Sequence, residues 1–224
     1  MSGTERSGIW ITFEGIEGTG KSTQIARLSD RMRRSGLSVV ATREPGGTAL
    51  GRSLRSLLLR PTDSPMDPLT ELLLYAADRA QHLREVVLPA LERGDTVLCD
   101  RYLDATLAYQ GYGRRLGVER ILEIHKHYPL DQRPDRTLLL DLDPEQAIDR
   151  ARDRNLDSGL DDSEGRFERE RLAFHRRVRR GYLELASAEP ERFLTIDASG
   201  QPDDVEERVW LALANSLIAG IDGG

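Results

Sequence analysis

The 224-residue sequence predicts an α/β protein, a parallel sheet of about five strands with helices on both faces. Three observations carry that expectation. Short apolar runs alternate with segments of helical periodicity along the whole chain. The first run stops at a glycine-rich loop, and a helical pattern begins directly after it. A hydrophobic content of 38% with 31% charged residues suits a globular chain with a sizeable core and argues against disorder.

The elements follow in order. "IWITF" (9–13) is a short β-rich run and reads as a buried strand ending at the glycines. Residues 21–34 carry Ile25, Ala26, Leu28 and Met32 at helical spacing, and Gly36 stops them. "LSVVAT" (37–42) is a second strand that opens into the loop "REPGGT". Helical patterns cover 50–59 and 69–93, and "DTVLCD" (95–100) is a third strand ending on Asp100. "RTLLLDL" (136–142) is a fourth; after it Asp143, Pro144 and Gln146 read as an N-cap, a first-turn proline and the glutamine of a capping box. "RFLTIDA" (192–198) is a fifth strand, followed by an amphipathic helix over about 203–219. No internal repeat or second domain is evident, so residues 1–224 read as one domain.

One stretch breaks the alternation. "RARDRNLDSGLDDSEGRFERER" (150–171) is dense in charge and almost free of apolar residues before Phe167. It reads either as a solvated linker or helix face or, beside a phosphate-binding loop, as a mobile arginine-bearing lid at about 150–168.

Composition narrows the function class. A formal net charge of −6 argues against broad electrostatic binding to nucleic acid. The N-terminal "MSGTERSG" lacks the apolar core of a signal peptide, and no apolar run is long enough to span a membrane. Cys99 is the single cysteine, which leaves a reducing cytoplasmic setting as the expectation. Arginine supplies nearly all the cations, yet one of the only two lysines, Lys21 and Lys126, stands in the glycine loop. A compact ammonium fits between phosphate oxygens where a planar guanidinium is too large.

The chemistry starts at that loop. Gly15, Gly20, Lys21 and Ser22 fit G-x-x-x-x-G-K-[ST], placed between a strand and a helix as the P-loop NTPase fold requires. The ATP-binding stretch is then Gly15, Ile16, Glu17, Gly18, Thr19, Gly20, Lys21, Ser22 and Thr23, its backbone N–H groups ringing the β-phosphate. Lys21 would bridge the β- and γ-phosphates and the Ser22 hydroxyl would ligate Mg²⁺. Asp100, delivered by another strand to the same sheet edge, would help hold the hydrated metal, although a strand-terminal Asp is often only a helix cap. Arg101 beside it suits a substrate phosphate, with a neighbouring ion pair as the alternative. No general base or nucleophile is evident. Phosphoryl transfer to a phosphate monoester needs none, because the acceptor is already anionic.

Five motifs, "FEGIEGTGKST", "TREPGGT", "LLLYAADRAQH", "DRYLDATLAYQG" and "RPDRTLLLDLDPE", closely resemble bacterial thymidylate kinase, and "LAFHRRVRRGYLELA" is also like that family. The resemblance implies Mg²⁺- and ATP-dependent phosphorylation of dTMP to dTDP by a cytoplasmic homodimer. It implies that Tyr75, where the family usually has Phe, stacks on thymine, that Arg79 reaches a thymine carbonyl, and that Thr106 and Gln110 approach the polar edge of the base. Tyr109 would lie beside the deoxyribose, Arg55 and Arg101 on the acceptor phosphate, and Glu17 near the sugar hydroxyl and the transferred phosphate. Some members carry an arginine where this chain has Gly18. The resemblance then assigns the missing cation to the lid, at Arg150, Arg152 or Arg154 with Arg166 further on, and Arg150 could instead serve adenine or the lid hinge. Two other readings stay open on residues alone. A nucleoside kinase would use Glu14 or Glu17 as a base, and a nucleotide-dependent switch would hydrolyse nucleotide without an acceptor.

Overall fold

In the computed structural model, which describes residues 8–60, 65–158, 166–167 and 170–219 (154–158 and 217–219 by backbone alone), β1 (Trp10–Glu14) forms the centre of the fold. Every residue of β1 is buried, as a continuous apolar run between two helical layers requires. It is flanked by β3 (Thr96–Asp100) on one side and β4 (Arg136–Asp141) on the other, and β2 (Val39–Arg43) and β5 (Phe193–Asp197) form the edges. The order is β2-β3-β1-β4-β5 and every pairing is parallel. The expected five strands are all present, most of them starting one or two residues later than the apolar runs suggest.

The chain crosses from β1 over α1 (Lys21–Arg34) to the far edge strand β2, and later returns to β4 on the other side of β1. The loop after β1 therefore sits where the strand order reverses, the crevice in which open α/β sheets bind ligands. Register completes the placement. Phe13 lies opposite Asp100, and Asp100 lies opposite Arg43, so the ends of β1, β2 and β3 are level.

Local chemistry explains the helix starts. The Thr48 hydroxyl accepts from Gly51 N at 2.9 Å to open α2 (Ala49–Leu59). Asp67 caps α3 (Pro68–His82), with Pro68 in its first turn. The single helix expected over 69–93 is a continuous rod, but Leu83–Val87 form a π-helical turn before α4 (Leu88–Glu92). Pro89 has no N–H and its ring would crowd the carbonyl four residues back, so a widened turn ahead of it relieves the clash.

Two helical regions go beyond the periodicity reading. α5 (Leu103–Thr106) runs into a second π segment, Leu107–Gly113, and α6 (Val118–Ile124) follows. At the start of α7 (Pro144–Ser158), Asp143 Oδ1 accepts from Glu145 N at 3.0 Å, whereas among the described residues Gln146 makes no reciprocal capping-box bond. The charged run thus begins as helix, and residues 159–165 and 168–169 of the expected lid lie outside the described residues. α8 (Leu172–Ala188) buries Phe174, Val178, Tyr182 and Leu185 against the π segment, a clean helical stripe. α9 (Pro202–Ala219) closes the fold beside α1 and β5. Among the described residues no helix is long and apolar enough to cross a membrane.

A buried clamp holds the segment after β3. Asp104 accepts from Arg192 through both carboxylate oxygens, at 2.6 and 2.9 Å, and from the Thr137 hydroxyl at 3.1 Å. This ties the first turn of α5 to β4 and to the residue before β5. Breaking a buried pair by removing one partner strands the other charge. Asp104→Ala is therefore expected to lower unfolding free energy by roughly 3 kcal/mol in urea titrations, and Asp104→Asn by less.

Candidate active site

The loop between β1 and α1 is built on glycines at positive φ: 133° at Gly15, 79° at Gly18 and 90° at Gly20. Gly18 is constrained twice. A Cβ there would stand 1.8 Å from the carbonyl oxygen of Ala147, so the first turn of α7 rests directly on the loop. Lys21 curls back inside, its Nζ donating to Gly15 O at 3.0 Å and Ile16 O at 2.8 Å. Burial, reinforced by Arg101, pulls the ammonium down to about 8. Ser22 Oγ donates to Asp100 Oδ2 at 3.0 Å, so the two expected metal ligands meet at the mouth of the loop. Hard oxygen donors of this kind fit Mg²⁺, which typically takes one or two carboxylates and completes its shell with substrate phosphate and water. Among the described residues no group of three or more His, Cys, Asp or Glu side chains forms a protein-only cage.

Arg101 follows directly. Its φ is 70°, unusual for a non-glycine residue, and the turn is held by Arg101 N donating to Phe13 O at 3.0 Å. The turn swings the guanidinium back over the loop. Nη2 donates to Glu17 Oε1 at 2.8 Å and to the Tyr109 hydroxyl at 3.1 Å, and Nη1 to the Tyr182 hydroxyl at 3.2 Å. The Tyr109 hydroxyl donates in turn to Glu17 Oε2 at 2.6 Å. Burial alone would raise the Glu17 carboxyl, but Arg101 and Lys21, with the Tyr109 hydrogen bond, outweigh it and hold it below the ordinary range. Glu14, at the end of β1, accepts from Tyr102 N and the Tyr182 hydroxyl, both at 2.7 Å. Burial, reinforced by Asp104, pushes its carboxyl upward.

α3 supplies the opposite wall. Glu71, Tyr75 and Arg79 recur every four residues and form one stripe. Arg79 is buried and engaged at each nitrogen, with one N–H on each Nη left over: Nε donates to Glu44 Oε2 at 2.9 Å, Nη1 to His125 Nε2 at 2.8 Å and Nη2 to the Thr106 hydroxyl at 2.9 Å. Gln110 Nε2 donates to Glu71 Oε1 at 2.6 Å. Thr106 and Gln110 thus share the face turned to α3, as their spacing suggests. Burial, then Glu71, pushes the Tyr75 hydroxyl upward, and among the described residues it has no hydrogen-bond partner. Arg55 on α2 folds over the 45–46 loop, with Nη1 donating to Pro45 O at 3.1 Å.

The arginines expected on the lid separate. Arg150 Nη1 donates to Ala198 O at 2.9 Å and Nη2 to Gly200 O at 3.2 Å, so it is engaged with the loop after β5. Arg152 is exposed, with Asp149 no nearer than 3.9 Å. The Arg154 side chain lies outside the described residues. Arg166 donates to Leu58 O at 2.8 Å and pairs with Glu71, and Phe167 packs edge-on against Tyr109, 5.3 Å between ring centres.

Residue reasoning did not single out Glu44, Glu71, Tyr182 or His125. Glu71 carried a signal, an acidic residue directly before the apolar run "LLLYAA" of α3. Glu44 lies inside "REPGGT" and binds both Arg79 and His82, the latter from Nδ1 at 2.8 Å.

Comparison with known proteins bears on this arrangement. Residues 13–209 match the family model described as thymidylate kinase. The chain is 51% identical over 208 residues to the thymidylate kinase of Syntrophotalea carbinolica, covering 93% of this chain and 96% of that one. It is 54% identical over 197 residues to that of Desulfovibrio desulfuricans, covering 88% and 91%. A crystal structure of thymidylate kinase from Ehrlichia chaffeensis is similar with a TM-score of 0.74 at 32% identity, covering 92% of this chain and 98% of that one.

The Arg79 cluster has a pH signature. Arginine can only donate, so His125 Nε2 accepts and its Nδ1–H donates to Ile121 O at 2.7 Å. Burial, then Arg79, pulls the imidazole from 6.5 down to about 4. Between those values the unfolded chain binds the extra proton, so this contribution to stability is present above about 6.5 and lost as pH falls towards 4. Urea midpoints measured from pH 7 to pH 4 should show a His125-dependent loss of roughly 3 kcal/mol, obtained as the difference from His125→Gln.

Proposed function

The chain belongs to the thymidylate kinase family, and from that premise we propose that its cleft transfers the γ-phosphoryl group of ATP to dTMP, giving dTDP and ADP. The observation that carries this reading is the convergence of Lys21, the Ser22–Asp100 pair and the Arg101–Glu17–Tyr109 cluster at one sheet edge, facing the Tyr75–Arg79 wall.

The roles follow from chemistry. Arg101, with Arg55, takes the acceptor phosphate, for which a guanidinium fork is well shaped. An oxygen of that phosphate attacks the γ-phosphorus, the bond to the β-phosphate oxygen breaks, and ADP leaves. No proton has to be removed first. Lys21 leaves the carbonyls it now holds and neutralises charge on the β- and γ-phosphates. Ser22 and Asp100 would hold Mg²⁺, which when bound neutralises phosphate charge and orients the oxygens. Tyr75 stacks on thymine, Arg79 donates to a carbonyl of the base, and Thr106 and Gln110 meet its polar edge. Arg79 is held for this by Glu44 and His125, so little side-chain freedom remains to be lost on binding. Tyr109 stands where a ribose 2′-hydroxyl would have to fit, and Glu17 faces the sugar and the transferred phosphate.

We place the chain with the relatives that carry glycine in the loop and bring the missing cation on the lid. Residues 1–224 act as one nucleoside monophosphate kinase domain, with the lid at about 150–168. Arg150, bonded to the loop after β5, suits the adenine side or the lid hinge, whereas the exposed Arg152 is available to the transferred phosphate. A cytoplasmic homodimer completes the reading; Leu57 on α2 and Leu73 on α3 are half or more exposed, apolar surface that a second copy would cover.

ADP release with Mg-ATP should be rapid with dTMP, weak with UMP, CMP or AMP, and near background without an acceptor. Turnover only with thymidine would move the assignment to a nucleoside kinase, and equal turnover without acceptor to a switch. Arg152→Ala should lower kcat about a thousandfold while the KM for dTMP changes little. Unchanged turnover in all three single alanine variants of Arg150, Arg152 and Arg154 would remove the lid from the chemistry.

A further inference from the structure

His175 on α8 is an anomaly in this structure. The side chain is fully buried, and among the described residues neither ring nitrogen has a hydrogen-bond partner. Buried polar groups are nearly always paired, and an apolar residue of similar size would fill the space without the desolvation loss. Its surroundings are apolar on one side, with the Phe174 ring edge-on at 5.6 Å. On the other side Nδ1 points at the active site, 3.8 Å from Glu17 Oε2. That is close enough to feel the charge and too long for a hydrogen bond.

The Glu17 carboxylate is otherwise fully served here, by Arg101 on one oxygen and the Tyr109 hydroxyl on the other. That arrangement does not survive the reaction as read above. An acceptor phosphate that draws the Arg101 guanidinium removes the charge-assisted bond on which Glu17 relies. The carboxylate is then short of a donor at the moment it must face the sugar and the transferred group. An imidazole nitrogen within 4 Å, with no other bond to break among the described residues, is positioned to replace it as a donor in its Nδ1–H form.

We propose that His175 is a positioning residue for Glu17: as Arg101 turns to the acceptor phosphate, the His175 Nδ1–H closes on the carboxylate and keeps it aimed. The inference rests on the dTMP kinase reading, because it needs Arg101 to leave. It explains why a histidine is kept unpaired in the core of α8, where packing alone favours leucine. The Nδ1 that has no partner at 3.8 Å gains one when it closes on Glu17.

The test uses the full-length enzyme with ATP and dTMP. His175→Leu should melt at the wild-type temperature or above, since it removes an unpaired polar group, yet lose about tenfold in kcat/KM for dTMP. His175→Asn, which keeps a donor near the Nδ1 position, should stay within about threefold of wild type. In a Glu17→Ala background, which removes the acceptor altogether, the leucine substitution should change activity by less than about twofold. Full activity in His175→Leu overturns the proposal. So does an equal loss in the presence and absence of Glu17, or an asparagine variant as impaired as the leucine one. If the leucine variant does not fold, His175→Met takes its place in the comparison; if that also fails to fold, the imidazole is structural and the proposal falls. Failure of the wild-type enzyme to phosphorylate dTMP is a separate result, and overturns the kinase reading on which the proposal rests.

Discussion

The parallel register of β1 against β3 is the constraint on which everything else depends. With Phe13 opposite Asp100, the phosphate loop and the Asp100–Arg101 turn leave the sheet at the same height. The Ser22–Asp100 bond and the Arg101–Glu17 pair are direct products of that levelling. A shift of one residue would turn Asp100 to the other face of the sheet and separate it from Ser22. The apolar, fully buried β1 makes such a slip expensive, so the core enforces the geometry of the site. The strained φ at Arg101 is stabilised the same way, through a backbone bond to the neighbouring strand.

Around this edge the protein concentrates charge in its interior. Glu44, Arg79, His82 and His125 form one connected cluster, and Gln110, Arg114 and Arg166 converge on Glu71. Buried ion pairs contribute little net stability because desolvation offsets their attraction. Their value here lies in direction: each fixes a donor that would otherwise sample many rotamers. The same logic applies to Glu14, whose carboxyl burial and Asp104 push upward and which accepts from the Tyr182 hydroxyl that also receives Arg101. On the reading proposed above, the wall for the base and the wall for the phosphates are both held in place by these internal bonds.

The sheet, its strands and the loop-to-α1 junction were legible in the sequence because each depends on local pattern: apolar runs, glycines and a helical stripe. The meeting of Ser22 with Asp100 was legible too, since parallel topology brings strand ends to one edge. Less legible were the π segments at Leu83–Val87 and Leu107–Gly113, which leave the apolar period nearly unchanged. The partners of Arg79 come from three separate segments of the chain, and no spacing rule brings Glu44, Thr106 and His125 to one guanidinium. His175 reads as an ordinary polar residue in a charged helix; only its burial and missing partners set it apart. The split between Arg150 and Arg152 likewise depends on where the loop after β5 lies, which adjacent sequence does not reveal.

The contact between Gly18 and Ala147 also bears on the history of such enzymes. Any side chain at position 18 meets the backbone of α7, and the glycine at a φ of 79° allows the helix to rest there. A lineage with this arrangement cannot gain a loop arginine by one substitution. The root of α7 would have to lift first, and on the reading proposed above that helix carries the lid arginines. On that reading, exchange between loop-borne and lid-borne cations demands concerted change in two distant segments. The choice between them then rests on the backbone packing of one glycine.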